Sequence, residues 1–222
     1  MAHQMRTAGF PAPRALSIGA CLKKTFLTLP TGRQPNGISD RHSTQEMGFK
    51  KLGKQVKISD KASLYNCDQL SIGDNSRIDD FCVISGKVTL GRNVHIAIFS
   101  NVAGGESGVT MEDFSGLAYG CQVFTQSDDY SGKTLTNPTV PSAYKTETKS
   151  PFHIGRHVII GTHSIVLPGV NLAEGCSVGA MTMVPKSTEA WGIYFGIPAK
   201  RIKNRSRDLL DLEAQYLASE KD

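Results

Sequence analysis

Residues 154–184 read IGRHVIIGTHSIVLPGVNLAEGCSVGAMTMV, and this stretch carries an aliphatic residue at every sixth position. The six positions are Ile154, Ile160, Val166, Leu172, Val178 and Val184. Two earlier runs keep the same interval, namely Ile72, Ile78, Ile84, Leu90, Ile96 and Val102, then Met111, Leu117 and Val123. A period of six matches neither the 3.6 of an amphipathic helix nor the 2.0 of an ordinary strand. The pattern therefore indicates an internal repeat.

The position four residues after each aliphatic anchor is also restricted. It holds small or compact side chains: Ser76, Cys82, Val94, Ser100, Ser115, Cys121, Val158, Ser164, Val170, Cys176 and Thr182. A unit of six residues is one short strand plus one turn, so three units close a coil of about 18 residues. Successive coils stack at the interstrand spacing of about 4.8 Å and bury a shared core. The sequence predicts a parallel β-solenoid in which Cys82, Cys121 and Cys176 fill corners.

The repeat also divides the chain into segments. Residues 1–46 lack it and are interpreted as an N-terminal extension, while 47–205 form the solenoid. Inside the solenoid the period breaks at the glycine-rich 103–110 and at the polar 126–152, and a long excursion from a rigid scaffold often carries function. Residues 206–222 predict a short C-terminal α-helix capped by Ser206.

Composition excludes several classes of protein. The net charge is +5, but six basic and two acidic residues in 1–46 account for +4 of it, so the remainder does not predict nucleic-acid binding. No apolar run approaches the roughly 18 residues of a membrane span, and no convincing signal peptide is present. We expect a cytoplasmic protein.

The repeat resembles that of the hexapeptide-repeat acyltransferases, especially the galactoside- and maltose-type and surface-polysaccharide sugar O-acetyltransferases. The resemblance covers about residues 56–205 and includes the ending Gly196-Ile197-Pro198-Ala199-Lys200. It implies a left-handed β-helix and a homotrimer with active sites in the clefts between subunits. The implied reaction moves an acetyl group from acetyl-CoA to a hydroxyl of a sugar or polysaccharide precursor, with no metal.

The resemblance implies a histidine base at the start of the long loop, but this chain has Gln126-Ser127-Asp128-Asp129-Tyr130 there. Two interpretations remain open. His95 is the base, with Asp128 or Asp129 of a neighbouring subunit as its partner, or one of these carboxylates is itself the base.

The resemblance also implies positions that bind the donor and the acceptor. Donor contacts are expected at Thr162, Gly179, Ala180, Lys186, Lys200 and Lys203. The lysines belong to or lie near a cationic cluster suited to the phosphates of CoA. Tyr130 and Tyr144 are expected beside a polyhydroxylated acceptor.

Three other functions stay open at this stage. N-acetylation of a nucleotide-linked amino sugar needs a weaker base than hydroxyl acylation, which suits the missing loop histidine. A non-catalytic scaffold would have lost the base altogether. A metal hydratase like the γ-type carbonic anhydrases would need three zinc-binding histidines, and the spacing of His95, His153 and His157 does not match that family.

Overall fold

The computed structural model describes residues 47–220, and most of its strands run parallel in three ladders that form the three faces of a β-helix. The first face contains β1 (Lys51–Leu52), β4 (Leu70–Ile72), the ends of β6 (Val83–Leu90) and β8 (Asn101–Met111), β13 (Phe152–Ile154) and β16 (Asn171–Leu172). The second face contains β2 (Lys57–Ile58), β5 (Arg77–Ile78), β7 (His95–Ile96), β9 (Gly116–Leu117), β14 (Ile159–Ile160), β17 (Ser177–Val178) and β19 (Gly192–Phe195). The third face contains β3 (Ser63–Leu64), the beginnings of β6 and β8, β10 (Gln122–Phe124), β15 (Ile165–Val166) and β18 (Met183–Val184).

The remaining elements lie outside these ladders. They are β11 (Gln126–Asp128) paired antiparallel with β12 (Glu147–Lys149), β20 (Lys200–Asn204) antiparallel to β19, the helix α1 (Leu209–Ser219), and 3-10 turns at Cys67–Gln69 and Ser142–Tyr144. The parallel β-helix predicted from the period of six is confirmed. Its left-handed sense stays a prediction from the family resemblance, and the predicted extension 1–46 lies outside the described residues.

The core follows the repeat. Every anchor of the three runs is buried, and Ile96, Val123 and Ile160 are fully so at 0% exposure. Coil stacks on coil through backbone hydrogen bonds such as Ser63 N–H to the Cys82 carbonyl. The three predicted corner cysteines are buried, and burial raises the pKa of the Cys121 thiol to about 11. They are packing residues rather than reactive thiolates.

The turn at two of the corners requires a left-handed backbone at the position three residues after the anchor. The side chains there include Asn75 (φ 59°), Phe99 (φ 63°), Phe114 (φ 57°) and His163 (φ 56°). Bulky residues adopt this conformation at an energetic cost, which glycine and asparagine largely avoid. The sequence analysis did not find this third restricted position, because its side chains vary in type and point outward.

The three faces form a triangular prism. Its three edges, here called corners, differ in what covers them and are named accordingly. The helix corner joins the first face to the second (73–76, 91–94, 112–115, 155–158, 173–176). The open corner joins the second face to the third (79–82, 97–100, 118–121, 161–164, 179–182). The loop corner joins the third face to the first (86–87, 104–108, 125–151, 167–170, 185–190). At the loop corner the period of six breaks at 103–110, but the chain makes no excursion from the sheet there. Residues 101–111 form one long strand, β8, which bends round the corner through Gly104, Gly105 and Gly108.

The predicted C-terminal helix is present, but Ser206 does not cap it. Ser206 Oγ accepts a hydrogen bond from Asp208 N–H (3.2 Å) in the turn before the helix, which begins at Leu209. The buried residue of α1 is Glu213, whereas Leu212 is 64% exposed. The most deeply buried side chain of the helix is therefore a polar one, and Leu209, Leu210 and Leu217 are half-buried.

Candidate active site

His95 lies on the second face beside the open corner, and a carboxylate of its own chain holds its ring. The distance from His95 Nε2 to Asp79 Oδ2 is 2.8 Å, and Arg77 Nε donates to the other oxygen, Oδ1, at 2.5 Å. Burial alone would raise the pKa of Asp79, but the hydrogen bonds from His95 and Arg77 outweigh it and lower the pKa. The sequence analysis expected Asp128 or Asp129 in this role and missed Asp79. The signal was the coil length, since Asp79 follows one anchor and His95 precedes the anchor of the next coil.

Asp128 and Asp129 lie side by side in the long excursion but have different surroundings. Asp129 accepts hydrogen bonds from Ser131 N–H (2.8 Å) and from the N–H and hydroxyl of Thr134 (3.1 and 3.2 Å), which lower its pKa. Within residues 47–220, the carboxylate of Asp128 accepts one long hydrogen bond, from Asn137 N–H at 3.3 Å. Asp129 therefore braces the loop, while the carboxylate of Asp128 keeps capacity for a ligand.

The two tyrosines expected at the acceptor are both exposed on this loop. Tyr130 is 93% exposed and Tyr144 is 64% exposed. Tyr144 lines a shallow depression with Gly132 and Lys145, and Lys145 Nζ pairs with Glu147 at 2.8 Å. Tyr130 does not line this depression, so one chain does not bring the two tyrosines together around a pocket.

Three of the expected donor contacts lie together on the open corner. Thr162 is half-buried, Ala180 is exposed one coil further along, and Gly179 precedes it. Each is small, so their backbone is accessible from outside the prism, except that the Phe195 ring occupies the space where a Gly179 Cβ would lie. This row of small residues fits the narrow pantetheine arm of CoA. The sequence analysis did not single out Phe195, whose ring packs against Gly179.

The basic residues at the C-terminal end of the β-helix divide into two groups. Lys200 and Lys203 are exposed on β20, where Lys200 lies opposite Phe195. Arg205 instead donates to the carbonyls of His157 (2.7 Å) and Gly175 (3.1 Å), so it stabilises the fold. The two lysines fit the phosphates of the donor.

Lys186 does not lie with these residues. It is exposed at the loop corner, the corner that also carries the long excursion with the half-buried Asp128. One chain therefore carries Thr162, Gly179 and Ala180 at the open corner, His95 on the second face, and Asp128 and Lys186 at the loop corner. Within one chain these groups therefore do not share one corner.

The aromatic residues near the C-terminus pack the cap of the prism. Trp191 and Tyr194 are 7% and 8% exposed, and the Tyr194 hydroxyl accepts a hydrogen bond from Glu189 N–H at 2.8 Å. Arg207 lies over the Trp191 ring at 5.2 Å. Neither ring is available to stack on a nucleotide.

Two histidines that a metal site would need are paired with separate carboxylates. His153 Nε2 lies 3.2 Å from Glu112, and the buried His157 lies 2.9 Å from Glu213. Across residues 47–220 no group of three histidine, cysteine or acidic side chains could hold a metal ion. No helix in the same range is long and apolar enough to cross a membrane.

Comparison with known proteins gives the class to which this fold and site belong. No protein-family model matches the chain. The chain is 45% identical over 183 residues to the dTDP-4-amino-4,6-dideoxy-D-glucose acyltransferase of Escherichia coli, covering 81% of this chain and 95% of that protein. The chain therefore belongs to the hexapeptide-repeat acyltransferases and is an enzyme of that family.

Solved structures agree with this assignment. AntD, an N-acyltransferase from Bacillus cereus in complex with dTDP and 3-hydroxybutyryl-CoA, is 44% identical with a TM-score of 0.82, covering 84% of this chain and 99% of that one. A maltose O-acetyltransferase from Clostridium difficile shares the fold at 19% identity and a TM-score of 0.51. The donor is an acyl-CoA, as the family resemblance implied.

Proposed function

We propose that the protein transfers an acyl group from acyl-CoA to the amino group of a nucleotide-linked amino sugar. The main support is the similarity, over nearly their full length, to two enzymes named for this acceptor class or for N-acyl transfer. A variant of AntD that also matches was solved with dTDP-4-amino-4,6-dideoxyglucose and CoA. Hydroxyl acylation, which the sequence resemblance favoured, is the weaker candidate.

The reaction makes modest demands on the protein. The amine nitrogen attacks the thioester carbonyl, an amide C–N bond forms, and the C–S bond breaks. The proton lost by the nitrogen passes to a base and then to the departing CoA thiolate, so that amide and CoA thiol are the products. An amine is a better nucleophile than a hydroxyl, so a carboxylate or a carboxylate-held imidazole is a sufficient proton acceptor.

Asp128 and His95 share this work in the proposal. Asp128 has free hydrogen-bonding capacity and a negative charge, which suit binding an amine that arrives as an ammonium ion and releases one proton to solvent before it attacks. His95 is held by Asp79 and adjoins the open corner along which the acyl-CoA is proposed to lie. Asp129 keeps the loop in shape, and Tyr130 and Tyr144 contact the sugar or the nucleotide.

The proposal needs a trimer, since the two sets of residues lie at different corners of one chain. Mass measurement in solution is expected to give about three times the 24.0 kDa of one chain. A monomer that retains full activity would contradict the cleft.

The direct test is turnover of acetyl-CoA, followed by thiol release, with nucleotide-linked amino sugars and with the matching sugars that carry a hydroxyl in place of the amine. We expect turnover with the amino sugars and an amide product that survives hydroxylamine, which cleaves an ester. His95→Ala and Asp128→Asn should each lose roughly 100-fold, and Asp129→Asn less. An ester formed at a sugar hydroxyl would overturn the proposal.

A further inference from the structure

Four histidines lie in residues 47–220, and His95 is held in the most specific way. His153 and His157 each pair with one carboxylate, and the His163 ring packs against Gly120 with no side-chain hydrogen bond in that range. The partner of His95, Asp79, is itself fixed by Arg77 on its second oxygen. Three charged or titratable side chains are thus fixed in series on the second face.

This arrangement selects the tautomer of His95. A carboxylate accepts a proton in a hydrogen bond, so the neutral ring donates through Nε2–H to Asp79 and keeps the lone pair on Nδ1. Nδ1 has no hydrogen-bonding partner among the described side chains and backbone groups, and the His95 side chain is 49% exposed. Its free nitrogen is therefore a proton acceptor.

The strand next to His95 leaves room for a ligand. In the ladder of the second face, Arg77 and Gly116 flank His95 on its two sides. A glycine weakens a strand and often marks a place where a ligand approaches closely. A Cβ at Gly116 would make only ordinary contacts, 3.5 Å to the His95 carbonyl oxygen and 4.0 Å to His95 Cβ, so the fold itself does not require glycine there.

We propose that Asp79 is a positioning residue that presents His95 Nδ1 to the amino group of the acceptor, and that the notch left by Gly116 receives the amino sugar. This inference rests on the proposed function. It adds two residues that act without touching the acyl-CoA: Asp79 fixes the tautomer, and Gly116 keeps the space beside the ring empty.

Asp80 is the matched control for Asp79. The two carboxylates are adjacent, and Asp80 pairs with Lys61 (2.8 Å) and Ser59 (2.5 Å) instead of with a histidine. Asp79→Asn should lower kcat at least about tenfold with the KM for acyl-CoA unchanged, while Asp80→Asn leaves both constants as they are. Gly116→Val should raise the KM for the acceptor at least about tenfold, and Gly116→Ala should have an intermediate effect.

Nitrogen NMR of histidine-labelled protein supplies a readout that a merely structural salt bridge would not move. The wild type should show His95 protonated at Nε2, and Asp79→Asn should shift it toward a tautomer mixture. An inactive wild type would overturn this inference together with the proposed function. An active wild type in which Asp79→Asn matches Asp80→Asn in kcat and tautomer, or in which Gly116→Val keeps its acceptor KM, would overturn this inference alone.

Discussion

The helix corner and the open corner share one turn geometry and differ in what covers them. At the helix corner, Phe114 stacks on His157 at 5.4 Å, and Tyr216 of α1 packs against Phe114 edge-on at 6.1 Å. At the open corner, Phe81 and Phe99 stack on each other at 5.3 Å with 50% and 58% of their surface exposed. The same strained position therefore serves packing at one corner and stays accessible at the other.

The helix covers its corner through polar contacts along its whole length. Glu213 binds Arg156 and His157, Tyr216 donates to Glu220 and lies within hydrogen-bonding distance of Asn93, and Glu220 binds Arg92 and Asn75. The open corner instead carries the small residues of the expected donor site. The helix therefore stabilises one corner, while the other corner is the one at which we propose that acyl-CoA binds.

The largest effect is expected from filling the open corner. Ala180→Arg places a long side chain where the pantetheine arm is proposed to lie, so kcat/KM for acyl-CoA should fall at least about 100-fold while the unfolding midpoint stays the same. Glu174→Arg is the control, since Glu174 holds the equivalent repeat position of the same coil at the helix corner and is exposed. Equal losses from both variants would contradict the division of labour between the corners.

The next effect concerns the polar contacts of α1. Glu213→Ala leaves the buried His157 and the partly exposed Arg156 without their carboxylate and should lower the free energy of unfolding by about 2–3 kcal/mol. Urea unfolding measures it, with Leu212→Ala on the exposed side of the helix as the control. A loss no larger than that of Leu212→Ala would show that the contact is not stabilising.

The same carboxylate predicts a pH dependence. Burial alone would raise the pKa of Glu213, but the hydrogen bonds from Arg156 and His157 outweigh it and lower the pKa. Its contribution is therefore present above the unfolded value of about 4.3 and is lost as the pH falls through the folded value. The stability difference between wild type and Glu213→Gln should shrink on acidification, and a constant difference would exclude this origin.

A smaller effect separates the two strained phenylalanines. Asparagine tolerates the left-handed backbone better than phenylalanine, and at the open corner this gain offsets the loss of the exposed stack on Phe81, so Phe99→Asn should leave stability unchanged or raise it by about 0.5 kcal/mol. Phe114→Asn loses its ring contacts with His157 and Tyr216 and should cost about 1 kcal/mol. Thermal unfolding measures the stability change of each variant. A loss of stability in both would contradict this difference between the two corners.

The smallest effect is expected from the phosphate contacts. Lys200→Gln and Lys203→Gln should each raise the KM for acyl-CoA about threefold to fivefold, because each removes one exposed cation. A donor lacking the nucleotide, such as acetyl-pantetheine, should show no difference between variant and wild type. Equal changes with both donors would place the lysines away from the phosphates.

The sequence predicted the prism because its period fixes which residues are buried. Ile96 and Ile160 could be assigned to the core from spacing alone, and so could the corner cysteines. The polar contacts of α1 could not, because Glu213 meets Arg156 and His157 only once the helix lies on the helix corner.

The site was predicted less completely for a physical reason. Asp79 and His95 are neighbours only once coils stack, and the strained turn position carries asparagine, phenylalanine and histidine alike. The donor contacts Thr162, Gly179 and Ala180 come from the family resemblance and stay a prediction.

A crystal structure of the protein with CoA and a nucleotide-linked amino sugar tests the central claim most directly. The account predicts CoA along the open corner past Thr162 and Ala180, with the sugar amine between His95 and the Asp128 of a neighbouring subunit. CoA bound at another corner, or an amine remote from both side chains, would contradict it.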